Sequence, residues 1–279
     1  MSHQLATTDK ISQSIFIHSD DAVLNISDAE KVFYLPSPIT APPPYRLIVG
    51  LTNITIPNSM YNVTSRSNTI TFSKDGVDTT ITIPNGDYSA SELGTILSSL
   101  MGSIGDVLFM ETTNKFSFVF SDSLAYSIKS TTMQRILGLK NQTPTASGLT
   151  YACQGIVDMG GVTNIYIRLR NLTMDNIDTR GTTTGNIIAN VSNDTNFGSY
   201  IFFNPSEVLY YTVAENSISH LDLELTDQDG NLLELNQASY NLTLTVHFIE
   251  QRKGIHQDTM LKQIMNAYDE SENEEEAKI

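Results

Sequence analysis

Five histidines and one cysteine are the residues from which general-base, nucleophilic or transition-metal chemistry would have to be built. His3, His18, His220, His247 and His256 are scattered along the chain, with no His-x-His pair and no His-Glu-x-x-His motif among them. His220 and His247 each fall on the polar face of an alternating segment. A solvent-facing strand histidine is the ordinary reading there, and a ligand or general base the alternative. Cys153 has no obvious base or cation beside it in sequence and reads as a buried structural thiol rather than a nucleophile. A single cysteine also excludes an intramolecular disulfide and every multi-cysteine zinc or iron–sulfur site.

Three further groups could bind something. Asp227 to Asn231 (DQDGN) has the opening of a calcium loop but lacks a third acidic position before its glycine. Strand patterns flank it, so a hairpin turn is expected. Tyr166, Arg168 and Arg170 share one face of a strand and could stack on nucleic acid or sugar. In so acidic a chain the arginines are expected instead to pair with carboxylates, in the same chain or across a subunit contact. Met260, Leu261, Ile264 and Met265 form an apolar stripe on a short helix predicted from Asp258 to Tyr268. A helix that short needs a docking surface, either its own sandwich or another protein. The acidic run after it, Asp269 to Glu276, disfavours a membrane surface. These four apolar residues, with Arg168 and Arg170, are the candidate partner-binding residues. Gly-x-Ser-x-Gly, the phosphate loop and the dinucleotide fingerprint are all absent from the sequence. No catalytic, cofactor or metal site is therefore expected, and the chain does not read as an enzyme.

The composition narrows the partners. Across 279 residues, 16 Lys and Arg face 31 Asp and Glu, a net charge of −15. That balance repels phosphate and argues against non-specific binding to DNA, RNA or anionic lipid. No tryptophan is present, which weighs against a sugar-binding platform. No apolar run approaches the roughly 20 residues of a membrane helix. Met1 to Ile17 lacks the pattern of a signal peptide, so synthesis in a reducing compartment of the cell interior is the expectation.

The elements that must position these residues are mostly strands. KVFYL (31–35) reads as a short strand closed by Pro36 and Pro38, and RLIVGLTNITI (46–56) as a long one covered on both faces. Asn68 to Phe72 and Asp78 to Ile83 flank Asp75-Gly76, a hairpin signal. Ser89-Ala90-Ser91-Glu92 has capping-box form ahead of Leu93, Ile96, Leu97, Leu100 and Met101. Gly102 and Gly105 stop that helix. A second hairpin carries Phe116, Phe118 and Phe120 on one face, and a helix from Thr131 to Leu137 ends at Gly138. Strand patterns resume at TNIYIRLR (163–170), followed by a loop from Asn176 to Gly198. They continue through 200–203, 208–213, 219–225 and 232–235 to the alternation of Leu242, Leu244, Val246 and Phe248. About ten strands with long connections predict a mainly β protein, an antiparallel two-sheet sandwich of single jelly-roll type. An arm (1–14) precedes the jelly-roll domain (15–253), an inserted strand–helix–strand–strand–helix module occupies 66–140, and an amphipathic helix with an acidic tail follows at 254–279.

Four stretches, in this order, resemble the vertex (penton) and minor capsid proteins of virophages, polinton-like viruses and large DNA viruses. They are IFIHSDDAVLN with Asn25 to Asp28 (from 15), VGLTNITIPNSMYN (49–62), ITIPNGDYSASELGTILSSL (81–100) with RILGL (135–139), and the strands from Ile218 to Phe248 around Asp229-Gly230-Asn231. The resemblance covers most of residues 15 to 250. It implies a single jelly roll forming a homopentamer at the icosahedral vertex and touching major capsid protein trimers, hence a virion component, with a receptor or fibre as further possible partners. A chain of this length has room for one jelly roll and the module but not for two. A trimeric or heteromeric minor capsid or spike-base protein, and a carbohydrate- or receptor-binding β-sandwich, are the alternatives.

Overall fold

The computed structural model describes residues 12–74, 76–121, 126–139, 149–172, 174 and 186–250. In chain order the strands begin with β1 (Ser12–His18), β2 (Leu24–Asn25), β3 (Glu30–Thr40) and β4 (Tyr45–Pro57). β5 (Thr69–Lys74) and β6 (Val77–Thr82) precede helix α1 (Ala90–Met101). β7 (Gly105–Met110), β8 (Lys115–Phe120), β9 (Tyr126–Thr131), helix α2 (Gln134–Leu137) and β10 (Thr150–Ala152) follow. β11 (Asn164–Leu169), β12 (Ile187–Ser192), β13 (Tyr200–Phe203), β14 (Tyr211–Thr212), β15 (Ser217–Thr226) and β16 (Asn241–Glu250) complete the described chain. The protein is mainly β, and the strand pairs among the described residues are antiparallel.

Two sheets face each other across one core. The first runs β1-β16-β4-β13, with β14 beside the other half of β4, and the second β12-β11-β15-β3-β2. The pairing is nested: β1 pairs with β16, β3 with β15, β4 with β13 and β11 with β12. Period-2 alternation sends Ile165, Ile167 and Leu169 of β11 inward against Leu242, Leu244 and Val246 of β16, all buried in the same cluster.

Residues between β4 and β11 gather a second core. β6-β5-β9 and β10-β8-β7 form two three-stranded sheets. Phe72, Phe116 and Phe118 pack with Leu93 and Leu97 of α1, and Cys153 and Val157 belong to this same cluster. Ser89 caps α1 as a full capping box: its hydroxyl accepts from the Glu92 N–H, and Glu92 accepts from the Ser89 N–H. Gly138, in the left-handed region at φ 67°, ends α2.

Five sequence expectations change. β3 does not stop at Pro36 but continues to Thr40. Between the pairs Tyr34–His220 and Ile39–Ile218 it carries extra residues, so both prolines sit in a bulge that asks no ladder N–H of them. The long apolar run of β4 has a different origin than burial on both faces along its length. A bulge at Thr52 resets the alternation, so Leu47, Val49 and Leu51 and then Ile54 and Ile56 all face the core. The outer face is covered only near Gly50, where an added Cβ would meet Val208, Leu209 and Tyr210 at 2.6–2.9 Å. The loop expected from 176 to 198 contains β12, whose buried Ile188 and Val191 are spaced by three through a bulge and escape a period-2 search. Residues 232–235 form no strand, only a bridge from Leu232 to Thr226, and α2 is shorter than expected because Thr131 belongs to β9.

Candidate functional site

The residues singled out for chemistry lie apart. Cys153 is 1% exposed, and burial pushes its thiol up to about 12, which leaves no thiolate near neutrality. His220 stacks on Tyr34 with ring centroids 5.7 Å apart and lies 3.9 Å from Asp222. His247 is partly covered rather than simply solvent-facing, because Tyr210 packs against its ring at 4.6 Å. In the Asp227–Asn231 loop the Asp227 carboxylate accepts from the backbone N–H groups of Asp229 (2.9 Å) and Asn231 (2.8 Å) and from the Asn231 side chain. Its oxygens are committed to holding the turn. Among the described residues no three His, Cys, Asp or Glu side chains converge as metal ligands, and no helix is long and apolar enough to cross a membrane.

Arg168 and Arg170 face outward from β11, and the neighbouring strands supply acids. The Arg168 guanidinium reaches Glu224 at 3.9 Å and donates to Thr226 and Asn186. Arg170 pairs with Glu30 and lies 3.5 Å from Glu224. Glu224 is half-buried between them, and burial holds its carboxyl above the ordinary value despite both arginines. The outer face of the second sheet is thus a network of charges satisfied within the chain. Met260, Leu261, Ile264 and Met265 lie outside the described residues.

The first sheet presents a different surface. Its outward positions include Ser14 and Phe16 on β1, Thr243 and Thr245 on β16, Asn53 and Thr55 on β4, and Tyr200 and Phe202 on β13, by alternation from their buried neighbours. None of these is Asp or Glu. Phe16 is 81% exposed and Phe202 75%, at opposite edges of the sheet. Thr52 and Thr245 share a 2.7 Å hydrogen bond across the strands between them.

Along the β1 edge a groove of about 350 Å³ opens between the two sheets. Ile15, Ile17, Phe33, Leu35 and Ile39 line it, with Phe16 and Tyr34 exposed on its rims. It opens there because β2 pairs with β3 only at Val32 and Lys31. The sequence held a signal for this surface: Phe16 stands between Ile15 and Ile17, so one ring of that apolar triplet must point out. A second, polar cleft of about 280 Å³ lies where the two cores meet. It is crossed by Arg135, which reaches Asp158 at 2.6 Å and Asp229 at 3.6 Å, and by Arg66, which donates to the Leu232 carbonyl at 3.1 Å. Asn62 ties the chain crossings beside it, donating to the Tyr88 carbonyl at 2.8 Å and accepting from the Tyr88 N–H at 3.0 Å.

No family model and no curated protein matches the chain. Among solved structures the chain is similar to a selenomethionine-labelled mavirus penton protein, at a TM-score of 0.46 and 11% sequence identity, over 86% of this chain and 99% of that one.

Proposed function

We propose that this chain is a structural virion subunit: a single jelly roll that assembles as a pentamer at a capsid vertex and contacts the surrounding major capsid trimers. The observation that carries the reading is the nested strand order. Folding a chain of eight strands into one long hairpin pairs first with last, second with seventh, third with sixth and fourth with fifth. Those are the pairs β1–β16, β3–β15, β4–β13 and β11–β12. Rolling that hairpin up brings β16 beside β4 and β15 beside β11, the two remaining ladders of the sandwich. We read this order as the two-Greek-key arrangement of jelly rolls, which serves capsid proteins, lectins and cupins alike.

The choice among those rests on sequence and chemistry. A cupin needs histidines and a carboxylate converging from neighbouring strands, whereas the buried cluster between these sheets holds no histidine and no carboxylate among the described residues. A lectin-like reading lacks a tryptophan platform. The ordered resemblance of residues 15–250 to vertex and minor capsid proteins favours the capsid role. Assembly then acts through shape, with a closed ring satisfying every subunit contact.

Native mass spectrometry of the full chain over a concentration series at neutral pH tests this. A discrete pentamer is the expected species. A trimer would replace the vertex role with that of a minor capsid or spike-base protein, and a monomer at every concentration would refute self-assembly.

A further inference from the structure

We infer that the second core, residues 63–157, is a hinged body that swings on two adjoining chain crossings and is latched by ion pairs on one side of them. The hinge belongs to a single copy, so its test does not depend on assembly. Among the described residues no strand of β5 to β10 pairs with a strand of the sandwich, and the two buried clusters share no residue. Bodies joined without a large apolar interface move relative to one another.

The chain passes between the two bodies at residues 59–62 and again at 158–163. Ser59 is tied to the sandwich, donating to the Leu235 carbonyl at 2.6 Å, whereas Asn62 is tied to the second core through Tyr88. On the return crossing the Thr163 N–H donates to Gln228 of the sandwich at 3.1 Å, whereas Asp158 is held by Arg135 of the second core. The pivots therefore fall at 60–61 and 159–161. Gly160 and Gly161 occupy the second, with Gly161 at a φ of 55°, so the backbone there can turn without a Cβ in the way. The crossings touch, since an added Cβ on Gly161 would lie 3.2 Å from the Asn62 Cβ. Two adjoining pivots define one axis of rotation.

The two sides of that axis differ. On one, Arg135 reaches Asp229 at 3.6 Å, and Arg66 reaches Glu234 at 3.7 Å and the Leu232 carbonyl at 3.1 Å. All four charged side chains are exposed, so these pairs hold weakly and yield to salt. On the other side lies a polar cleft of about 480 Å³, lined by Asp87, Ser89 and Glu92 from the second core and by Asn193, Thr195 and Asn196 from the sandwich. Among the described residues no hydrogen bond or ion pair joins those two walls. Rotation that closes this cleft breaks nothing across it and stretches the latch opposite. The latch therefore sets how much of the population is swung.

Pulsed electron double-resonance distances test this. Nitroxides are placed on Asp194→Cys, beside the cleft on the sandwich, and on Ser99→Cys, at an exposed position of α1, in the full-length chain. Dilution with unlabelled chain leaves only distances within one copy, and Cys153, 1% exposed, stays unlabelled. At low salt one distance dominates. Asp229→Asn with Glu234→Gln removes the latch charges and raises a second, shorter-distance population about three- to tenfold, the combined effect of two exposed ion pairs. Salt at about 1 M raises that population in the labelled chain with its latch intact and adds little in the variant. Circular dichroism melts check that the variant is folded, and should it not be, the salt series on the intact latch decides alone. A single distance unmoved by salt and by the variant overturns the hinge. A new population at longer distance overturns it too, because the motion would then open the cleft instead of closing it. A salt effect that the variant shares in full overturns the latch.

Discussion

Replacing Phe118 by Ala separates the two cores energetically. Phe118 is fully buried in the cluster built by β5 to β10 and α1, and its ring meets Phe72 edge-on at 5.9 Å. Truncating a buried Phe to Ala costs about 3–5 kcal/mol, and the lost edge-to-face contact places this site toward the upper part of that range. A loss of about 4 kcal/mol raises the opening equilibrium about a thousandfold. The sandwich core shares no buried residue with this cluster, so that opening is local to residues 63–157. Hydrogen–deuterium exchange read by mass spectrometry is the assay. Amides of β5, β8 and α1 exchange up to about a thousand times faster in the variant, while those of β3, β4, β15 and β16 keep their rates within about twofold. Leu223→Ala, in the sandwich, gives the converse pattern. Equal acceleration across both sets of strands would refute the separation of the cores.

Three other outcomes follow from single sites. The Cys153 thiol, buried and pushed up to about 12, stays unmodified by a disulfide reagent at pH 8 until denaturant is added; modification of the native chain within minutes would contradict its burial. Burial holds Glu224 above its ordinary value of 4.5, so it favours folding below that value, and the contribution is lost as pH rises through the folded value. Urea melts of Glu224→Gln therefore show its stability relative to the unaltered chain rising as pH is raised from about 4.5 toward neutrality; a relative stability that falls over that range would contradict the assignment. Gly138→Ala places a Cβ 2.4 Å from the Gly155 carbonyl oxygen at a φ of 67°, and loses at least about 2 kcal/mol in the same assay. A neutral result would mean that the close backbone approach at Gly138 is absent.

Legibility in the sequence followed local rules. The α1 capping box, the Asp-Gly hairpin between β5 and β6, the Phe116–Phe118–Phe120 face and the β11 alternation were all readable, because each is fixed by neighbours within a few residues. β12 and the continuation of β3 past Pro36 were not, because bulges break the period that a sequence search depends on, and a bulge is set by the partner strand. Residues Thr150 to Ala152 pair with β8 only through tertiary contact and carry no strand pattern of their own. Arg168 and Arg170 were legible as partners of carboxylates, in the same chain or across a subunit contact, but the partners themselves were not, since Glu30 lies 140 residues away from Arg170. The exposed edge aromatics were hidden for the same reason: Phe202 and Phe16 look like ordinary strand aromatics until the sheet order places them at its two edges.

The most direct test of the assembly account is a single-particle electron cryomicroscopy reconstruction of the purified full-length chain. The expected reconstruction is a five-fold ring of jelly rolls. A ring of another order, or isolated subunits, would contradict the account.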